Sequence, residues 1–452
     1  MADLSSFKSL KKPLAVLGLG VSGKAVVEAA TQAGIPFAAW DDNAERRAQF
    51  AQYNIMDFLN DLSGYAALVP AAGIKPSHPV LQNAGTQNIP ILSDIDLLIQ
   101  SAPDARVIGI TGTDGKSTTT ALIGHILKAN NKNIAVGGNI GMAACSLPSL
   151  KSDGVYVLEL SSYQLEITAK PVCDIAVFLN LAPDHIDWHG TQANYFNAKK
   201  KITLPRADRL KQKTVVGIDS SETAQLALQL KMSDHHTVTS ISTKKSADVT
   251  VRDGRLYDGN KEIADISTHP FLKGEHNGQN IAAAYAALRA FGLSAEQIIA
   301  PLMTFEGLPH RQKKIAQYKN ITFIEDSKAT NVNSAGQALN TFDNIYWILG
   351  GQLVDSEIER LQEYYPKVRH AFLIGEGSAV FAKKLEKKIP FTECGTMDKA
   401  VAAAFQLAQN DMQPAVILLS PIGKSFDQYK SYAERGDDFT AQVQSILQKV
   451  AA

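Results

Sequence analysis

Cysteine is scarce. Cys145, Cys173 and Cys394 are the only three in 452 residues, far apart and never paired as CxxC, which argues against a disulfide framework and a thiolate zinc site and predicts a reducing compartment. Neither sign of charge is in excess, with 45 Lys+Arg against 45 Asp+Glu, so bulk electrostatics favour neither nucleic acid nor an acidic membrane surface. Any anion site has to be built locally. No stretch approaches about 18 consecutive apolar residues, so no membrane span is expected. The N-terminal MADLSSFKSLKKPLAVLGLG runs its apolar segment straight into a glycine turn, without the hydrophobic core and cleavage site of a signal peptide, and a cytoplasmic location is predicted. Fixed-period repeats and low-complexity tracts are also missing.

What is present is an ordinary globular composition, 45% hydrophobic with 31 Gly, on a chain too long for one core. Short apolar runs alternate with helix-like stretches from Pro13 to about Asp96, restart at ARVIGITGTDGKS, and restart again after Gly307-Leu308-Pro309. This alternation predicts three α/β domains at 1–97, 98–307 and 308–452: a Rossmann-like unit, a central unit with a parallel sheet and a small antiparallel sheet from about Lys213 to Leu272, and a second Rossmann-like unit.

The strongest local signal is Gly112-Thr113-Asp114-Gly115-Lys116-Ser117-Thr118, where an apolar strand meets a helix whose first-turn amides would face phosphate. There Lys116 would reach the terminal phosphates and Ser117 a Mg²⁺ ion. The spacing departs from GxxxxGK[ST], since Ile110 stands where the first Gly belongs. Gly18-Leu19-Gly20-Val21-Ser22-Gly23 forms a GxGxxG on the first strand-to-helix turn, with Asp41 and Asp42 ending the next strand. That pattern fits NAD or FAD as well as a nucleotide-sugar. Glu159 closes the strand GVYVLEL at the end where open α/β sheets place ligand groups, and Asp184-His185-Ile186-Asp187-Trp188-His189 offers further metal donors or structural histidines. Lys199-Lys200-Lys201 reads as the solvated basic face of a helix for at least two of the three.

GTDGKSTTT (112–120), GGNIG (137–141), LELSSYQLE (158–166), NLAPDHIDWHG (180–190), GEHNGQN (274–280), GLPHRQ (307–312), EDSKATN (325–331) and SPIGKSFDQY (420–429) follow one another in this order. Together they resemble the Mur ligases over nearly the whole chain. The resemblance implies an ATP- and Mg²⁺-dependent monomeric ligase of cell-wall precursor synthesis that adds D-glutamate to UDP-N-acetylmuramoyl-L-alanine through an acyl phosphate. The alternatives are L-glutamate, another amino acid, or a folate substrate. It also implies roles: Lys116 on the γ-phosphate, Ser117 and Glu159 on one Mg²⁺, His185 and a carbamylated Lys199 on a second, and Asn139 with His185 at the reacting phosphoryl group. Asn280, Arg311, Asp326 and Lys328 would hold the rest of ATP. Thr330, Ser420 and Phe426 would hold glutamate, and Gly20, Ser22, Asp41 and Gly73 the uridine diphosphate. Two places depart from the pattern: Gln352-Leu353-Val354-Asp355 lacks the expected lysine, so that either Lys424 would substitute or the loop would differ, and Asn43 stands where some relatives have Arg.

Overall fold

The computed structural model describes residues 1–170, 172–206, 211–272, 274–353, 357–411 and 413–451. They form two compact units, one of Met1–His269 with Glu275–Phe305 and one of Pro270–Gly274 with Glu306 onward.

The first unit holds two sheets. Strands β1 (Leu14–Leu17), β2 (Phe37–Trp40) and β3 (Ala67–Pro70) are parallel in the order β2-β1-β3. The larger sheet begins with the parallel strands β4 (Arg106–Thr111), β5 (Asn133–Gly138), β6 (Gly154–Glu159), β7 (Ile175–Phe178) and β8 (Gln212–Gly217). It continues through β9 (His236–Ser242), β10 (Val249–Arg252), β11 (Arg255–Asp258) and β12 (Lys261–Asp265), giving the order β12-β11-β10-β9-β8-β7-β4-β6-β5. The antiparallel sheet expected from about Lys213 to Leu272 is smaller than that: β8 and β9 pair in parallel within the main sheet, and only β10 to β12 pair antiparallel, extending the same sheet at one edge. β4, β6 and β7 are buried almost throughout, as parallel strands covered on both faces must be, and they read as unbroken apolar runs for that reason. One hydrophobic core runs from Leu14 and Val16 of the small sheet through Ile95, Leu97 and Leu98 to Val107 and Tyr156 of the large one. That continuity explains why the first two expected domains fall in one compact unit.

The second unit carries β13 (Lys313–Tyr318), β14 (Ile321–Glu325), β15 (Ile345–Gly350), β16 (Val368–Ile374), β17 (Phe391–Gly395) and β18 (Ala415–Ile422) in the order β13-β14-β18-β15-β16-β17. All neighbours are parallel except β13 with β14. Trp347 lies fully buried in the middle strand and donates from Nε1 to the Ser420 carbonyl at 2.8 Å, which ties the end of β18 to the sheet centre.

Candidate functional site

β4 ends at Thr111 and the chain turns through Gly112 to Gly115 into the helix Lys116–Ala129. Gly112 has φ +153° and Gly115 φ +80°, and a Cβ on Gly115 would stand 2.1 Å from Asn280 Oδ1, so only glycine fits there. The helix start has no side-chain cap, which leaves its first-turn amides facing outward as an anion would require. Lys116 Nζ folds back to donate to the carbonyls of Gly112 at 2.9 Å and Thr113 at 2.7 Å. Gly109 is a strand residue packed on Cys173 Sγ, which accounts for the shifted glycine spacing. Asn280, on the helix Glu275–Phe291, accepts from Thr119 Oγ1 at 3.2 Å and so lies beside the loop.

Glu159 ends β6, where the parallel sheet brings it next to β4 and β5. It is 2% exposed; Oε1 accepts from Asn139 Nδ2 at 2.8 Å, while Oε2 is buried without a hydrogen-bond partner. A buried carboxylate oxygen left unpaired is costly, and a bound cation is one arrangement that would offset the cost. Lys199 is 1% exposed, so it does not belong to a solvated basic face. Its Nζ donates to Gly112 O at 2.6 Å and lies 4.6 Å from the centre of the Tyr195 ring. Burial, then the charge of Lys116, push its ammonium well below the usual lysine range against Asp184, Glu159 and Asp114. Lys201 is pinned as well, to the Glu166 carbonyl.

His185 sits at φ +52° at the start of the short turn Ile186–His189, 3.3 Å from Asp184 and packed on Tyr163 with ring centres 4.9 Å apart. Burial lowers its pKa, helped by the charges of Lys199 and Lys116 and against the pull of Asp184 and Asp187. The ring is then neutral at pH 7 and keeps a lone pair for a ligand. His189 has a structural job: it is buried, meets Ser162 Oγ at 2.9 Å and stacks on Tyr163, with burial taking its pKa to about 4. Among the described residues no three His, Cys, Asp or Glu side chains converge as a metal cage. Magnesium suits such a place, since it commonly takes one or two carboxylates and completes its shell with phosphate and water oxygens. The orphaned Glu159 oxygen, the Ser117 hydroxyl, a neutral imidazole and a lysine that can become a carbamate form a fitting donor set.

In the small sheet, Gly18 and Gly23 are fixed by packing, since a Cβ on Gly23 would lie 1.7 Å from Gly18 O and one on Gly18 2.9 Å from Ala71. The Ala71–Ile74 turn, with exposed Gly73, thereby lies against the loop that carries Gly20 and Ser22. Asp41 turns inward. It accepts from the amides of Leu19 at 2.7 Å and Asn43 at 2.9 Å and from Arg46 at 3.2 Å, and although burial opposes them these partners hold its carboxyl below the usual range. Its visible work is to shape the glycine loop. Asn43 caps the helix Ala44–Gln49 by accepting from Arg46 N, which gives the departure at this position a local reason.

The second unit gathers its own cluster at the ends of β14 and β18. Asp326 accepts from Ser420 Oγ at 2.8 Å and Gln312 N at 3.2 Å, so two residues expected on different substrates meet in one bond. Thr330 N donates to Lys328 O, Lys328 N donates to His310 O, and Phe426 is 63% exposed. Gln352 and Lys424 exchange backbone hydrogen bonds at 2.7 and 2.8 Å, which puts Lys424 opposite the segment lacking a lysine; Val354 and Asp355 lie outside the described residues. Residues 310–312 and 422 carry left-handed backbone at His310, Gln312 and Ile422, and for a β-branched isoleucine that is strained. Arg435, missed in the sequence because arginine in a helix reads as surface, is buried and donates to Ser327 Oγ, Ser327 O and Gly423 O.

Burial raises the Asp326 carboxyl to about 7, against Ser420, Gln312 and Arg311 and with help from Glu325. The unfolded chain loses that proton near pH 4 and the folded chain only near pH 7, so folding stability falls across that window. Asp326→Asn cannot ionise and is expected to be more stable than the unaltered protein at pH 8, on the order of 2 kcal/mol, with little difference at pH 4. Urea unfolding at both pH values checks this; an equal effect at the two would clear the buried carboxyl of any role.

The chain matches two family descriptions, "Mur ligase middle domain" over residues 110–288 and "Mur ligase, glutamate ligase domain" over residues 310–423. It is 42% identical over 453 residues to UDP-N-acetylmuramoylalanine--D-glutamate ligase of Paramagnetospirillum magneticum, covering 98% of both chains. The enzyme of the same name from Rhodospirillum rubrum is 40% identical, with 97% of this chain and 96% of that one covered. Among solved structures, a MurF ligase from Thermotoga maritima in complex with ADP superposes with a TM-score of 0.59 at 15% identity, covering 99% and 100% of the two chains. UDP-N-acetylmuramate-alanine ligase from the same organism gives 0.57 at 18%, covering 96% and 99%. At these identities the likeness establishes the fold.

Proposed function

The chain belongs to the Mur ligase family, and from that premise we propose that it spends ATP to join D-glutamate to UDP-N-acetylmuramoyl-L-alanine in peptidoglycan precursor synthesis. The observation that carries the reading is the gathering of Lys116, Glu159, His185 and Lys199, from four separate segments, around one glycine loop. In this reading residues 1–97 take the UDP-sugar, 98–307 the triphosphate of ATP and 308–452 mainly the glutamate, with a share in the nucleoside end of ATP.

A carboxylate oxygen of the alanyl end attacks the γ-phosphorus and ADP leaves; the neutral glutamate amine then attacks the acyl carbon of the mixed anhydride, and inorganic phosphate departs as the nitrogen gives up a proton and the amide forms. Both steps concentrate negative charge, so the protein's task is to place positive charge and donors where that charge develops. Lys116 and the amides after Gly115 hold the triphosphate. Ser117, Glu159, His185 and carbamylated Lys199 would hold up to two magnesium ions, which when bound neutralise phosphate charge. Asn139, steered by its bond to Glu159, and neutral His185 orient the reacting carboxylate. Asn280, Arg311, Asp326 and Lys328 take the nucleoside end of ATP. Gly20, Ser22 and Gly73 take the diphosphate on a loop that Asp41 shapes, and Thr330, Ser420 and Phe426 take glutamate with Lys424 in place of the missing lysine.

The test is phosphate release from ATP and Mg²⁺ with UDP-N-acetylmuramoyl-L-alanine, supplied with D- or L-glutamate in separate reactions. Release with D-glutamate alone is expected. Release with L-glutamate alone would keep the chemistry and overturn the assigned amino acid, and release with neither would overturn the substrate assignment.

A further inference from the structure

The register that pairs Thr111 of β4 with Phe178 of β7 makes the segments 112–114 and 179–180 leave the large sheet side by side. Thr113 N donates to both the carbonyl and the Oδ1 of Asn180 at 3.1 Å, and Asp114 N donates to the same Oδ1 at 2.9 Å. The Asn180 amide nitrogen in turn donates to Asp114 O at 3.2 Å and to Gln279 Oε1 at 2.7 Å. Gln279 Nε2 donates to Asp219 Oδ2 at 3.4 Å, and Asp219 also accepts from Ser242 Oγ and from the Thr243 amide.

Each link of this chain has one possible direction. Asp219 is already an acceptor for Ser242 and Thr243, so Gln279 must turn its nitrogen toward it and its oxygen toward Asn180. Asn180 must then present its nitrogen to Gln279 and its oxygen to the loop. Two consecutive loop amides are thereby turned inward, away from any ligand, which leaves the amides that follow Gly115 to face phosphate. The phosphate loop consequently takes its shape from a residue 66 positions away.

We propose that Asn180 is a positioning residue for the nucleoside triphosphate: through the one-way chain that ends on Asp219 it fixes the 112–115 loop, and with it the affinity for ATP. The inference rests on the reading of that loop as the ATP site. The direction of the chain supplies a test that simple damage to the fold cannot imitate. Asn180→Asp keeps an oxygen for the loop amides but sets a second oxygen against Gln279 Oε1 and Asp114 O. Adding Asp219→Asn relieves the clash at Gln279, the new amide at 219 donating to Gln279 Oε1 and Gln279 Nε2 donating to the new carboxylate at 180, while the repulsion from Asp114 O and the lost Thr243 bond keep the rescue partial.

Calorimetric binding of a non-hydrolysable ATP analogue with Mg²⁺, together with KM values from phosphate release, measures the effect. Asn180→Ala is expected to weaken analogue binding and raise the KM for ATP by about 10- to 100-fold, since small misplacements of a phosphate site cost that much, while the KM for the UDP-sugar changes by less than about threefold. The double variant is expected to bind the analogue at least about fivefold tighter than Asn180→Asp alone. Binding by Asn180→Ala within about twofold of the unaltered protein, or a double variant no better than the single one, overturns the proposal. If the unaltered protein does not bind the analogue at all, the ATP reading of the loop fails and the inference falls with it.

Discussion

Lys199→Ala is expected to lower the rate of phosphate release by on the order of 10²- to 10³-fold, and millimolar formate or acetate is expected to return part of it. The physical reason is that Lys199 is buried and faces the charge of Lys116, which together disfavour its ammonium against the pull of Asp184, Glu159 and Asp114. A neutral amine is the form that adds to carbon dioxide: nitrogen bonds to the carbon, a proton is released, and the ammonium that would repel a cation becomes a carboxylate-like oxygen donor. A small carboxylate diffusing into the space left by the side chain replaces that oxygen. Titrating formate into the alanine variant while following phosphate release checks this. A variant as active as the unaltered protein would remove Lys199 from the site, and a variant inactive at every formate concentration would leave the lysine without its assigned role as an oxygen donor.

Arg435→Met is expected to destabilise the second unit by about 3–5 kcal/mol, seen as a lower midpoint in urea or thermal unfolding. The guanidinium is 1% exposed and satisfies two carbonyls and a hydroxyl that have no water to turn to. Burial alone takes its pKa down to about 10 although Asp427, Tyr429 and Glu325 oppose that, so it remains charged at pH 7 and its removal strands its partners. Its bonds join Ser327, beside Asp326 and Lys328, to Gly423, between Ser420 and Phe426. Arg435→Lys keeps the charge but not the planar fork, and its stability is expected to fall between the other two. A methionine variant within about 1 kcal/mol of the unaltered protein would mean that the two loops hold their positions without it.

The sequence by itself determined the class of fold and the chemistry of the main motif, because both are local. Apolar runs of strand length bounded by glycine turns encode buried parallel strands, and a strand, a glycine loop and Lys-Ser at a helix start encode, within ten residues, the turn proposed as the anion site. Glu159 was legible for the same reason, as the acidic end of a buried strand. Lys199 was not. Three adjacent lysines look solvated in one dimension, and only the packing of the helix Gln192–Lys200 against the glycine loop decides which of them is buried. Asp41 and Asn43 show the opposite limit, since their hydrogen bonds within the glycine loop and at the next helix start follow from how the loop closes.

Asn180, Gln279 and Asp219 lie far apart in the chain and become one hydrogen-bonded path only because β7 and β8 end where the helix Glu275–Phe291 begins. The same holds for Asp326 with Ser420 and for Arg435 with Ser327, which the parallel pairing of β14 with β18 and the last helix bring together. Motif spacing fixes which groups are available for phosphate and metal. Sheet register and burial decide which of them touch, which lose their charge, and which hold the others in place, because those depend on distances that the order of residues along the chain does not contain.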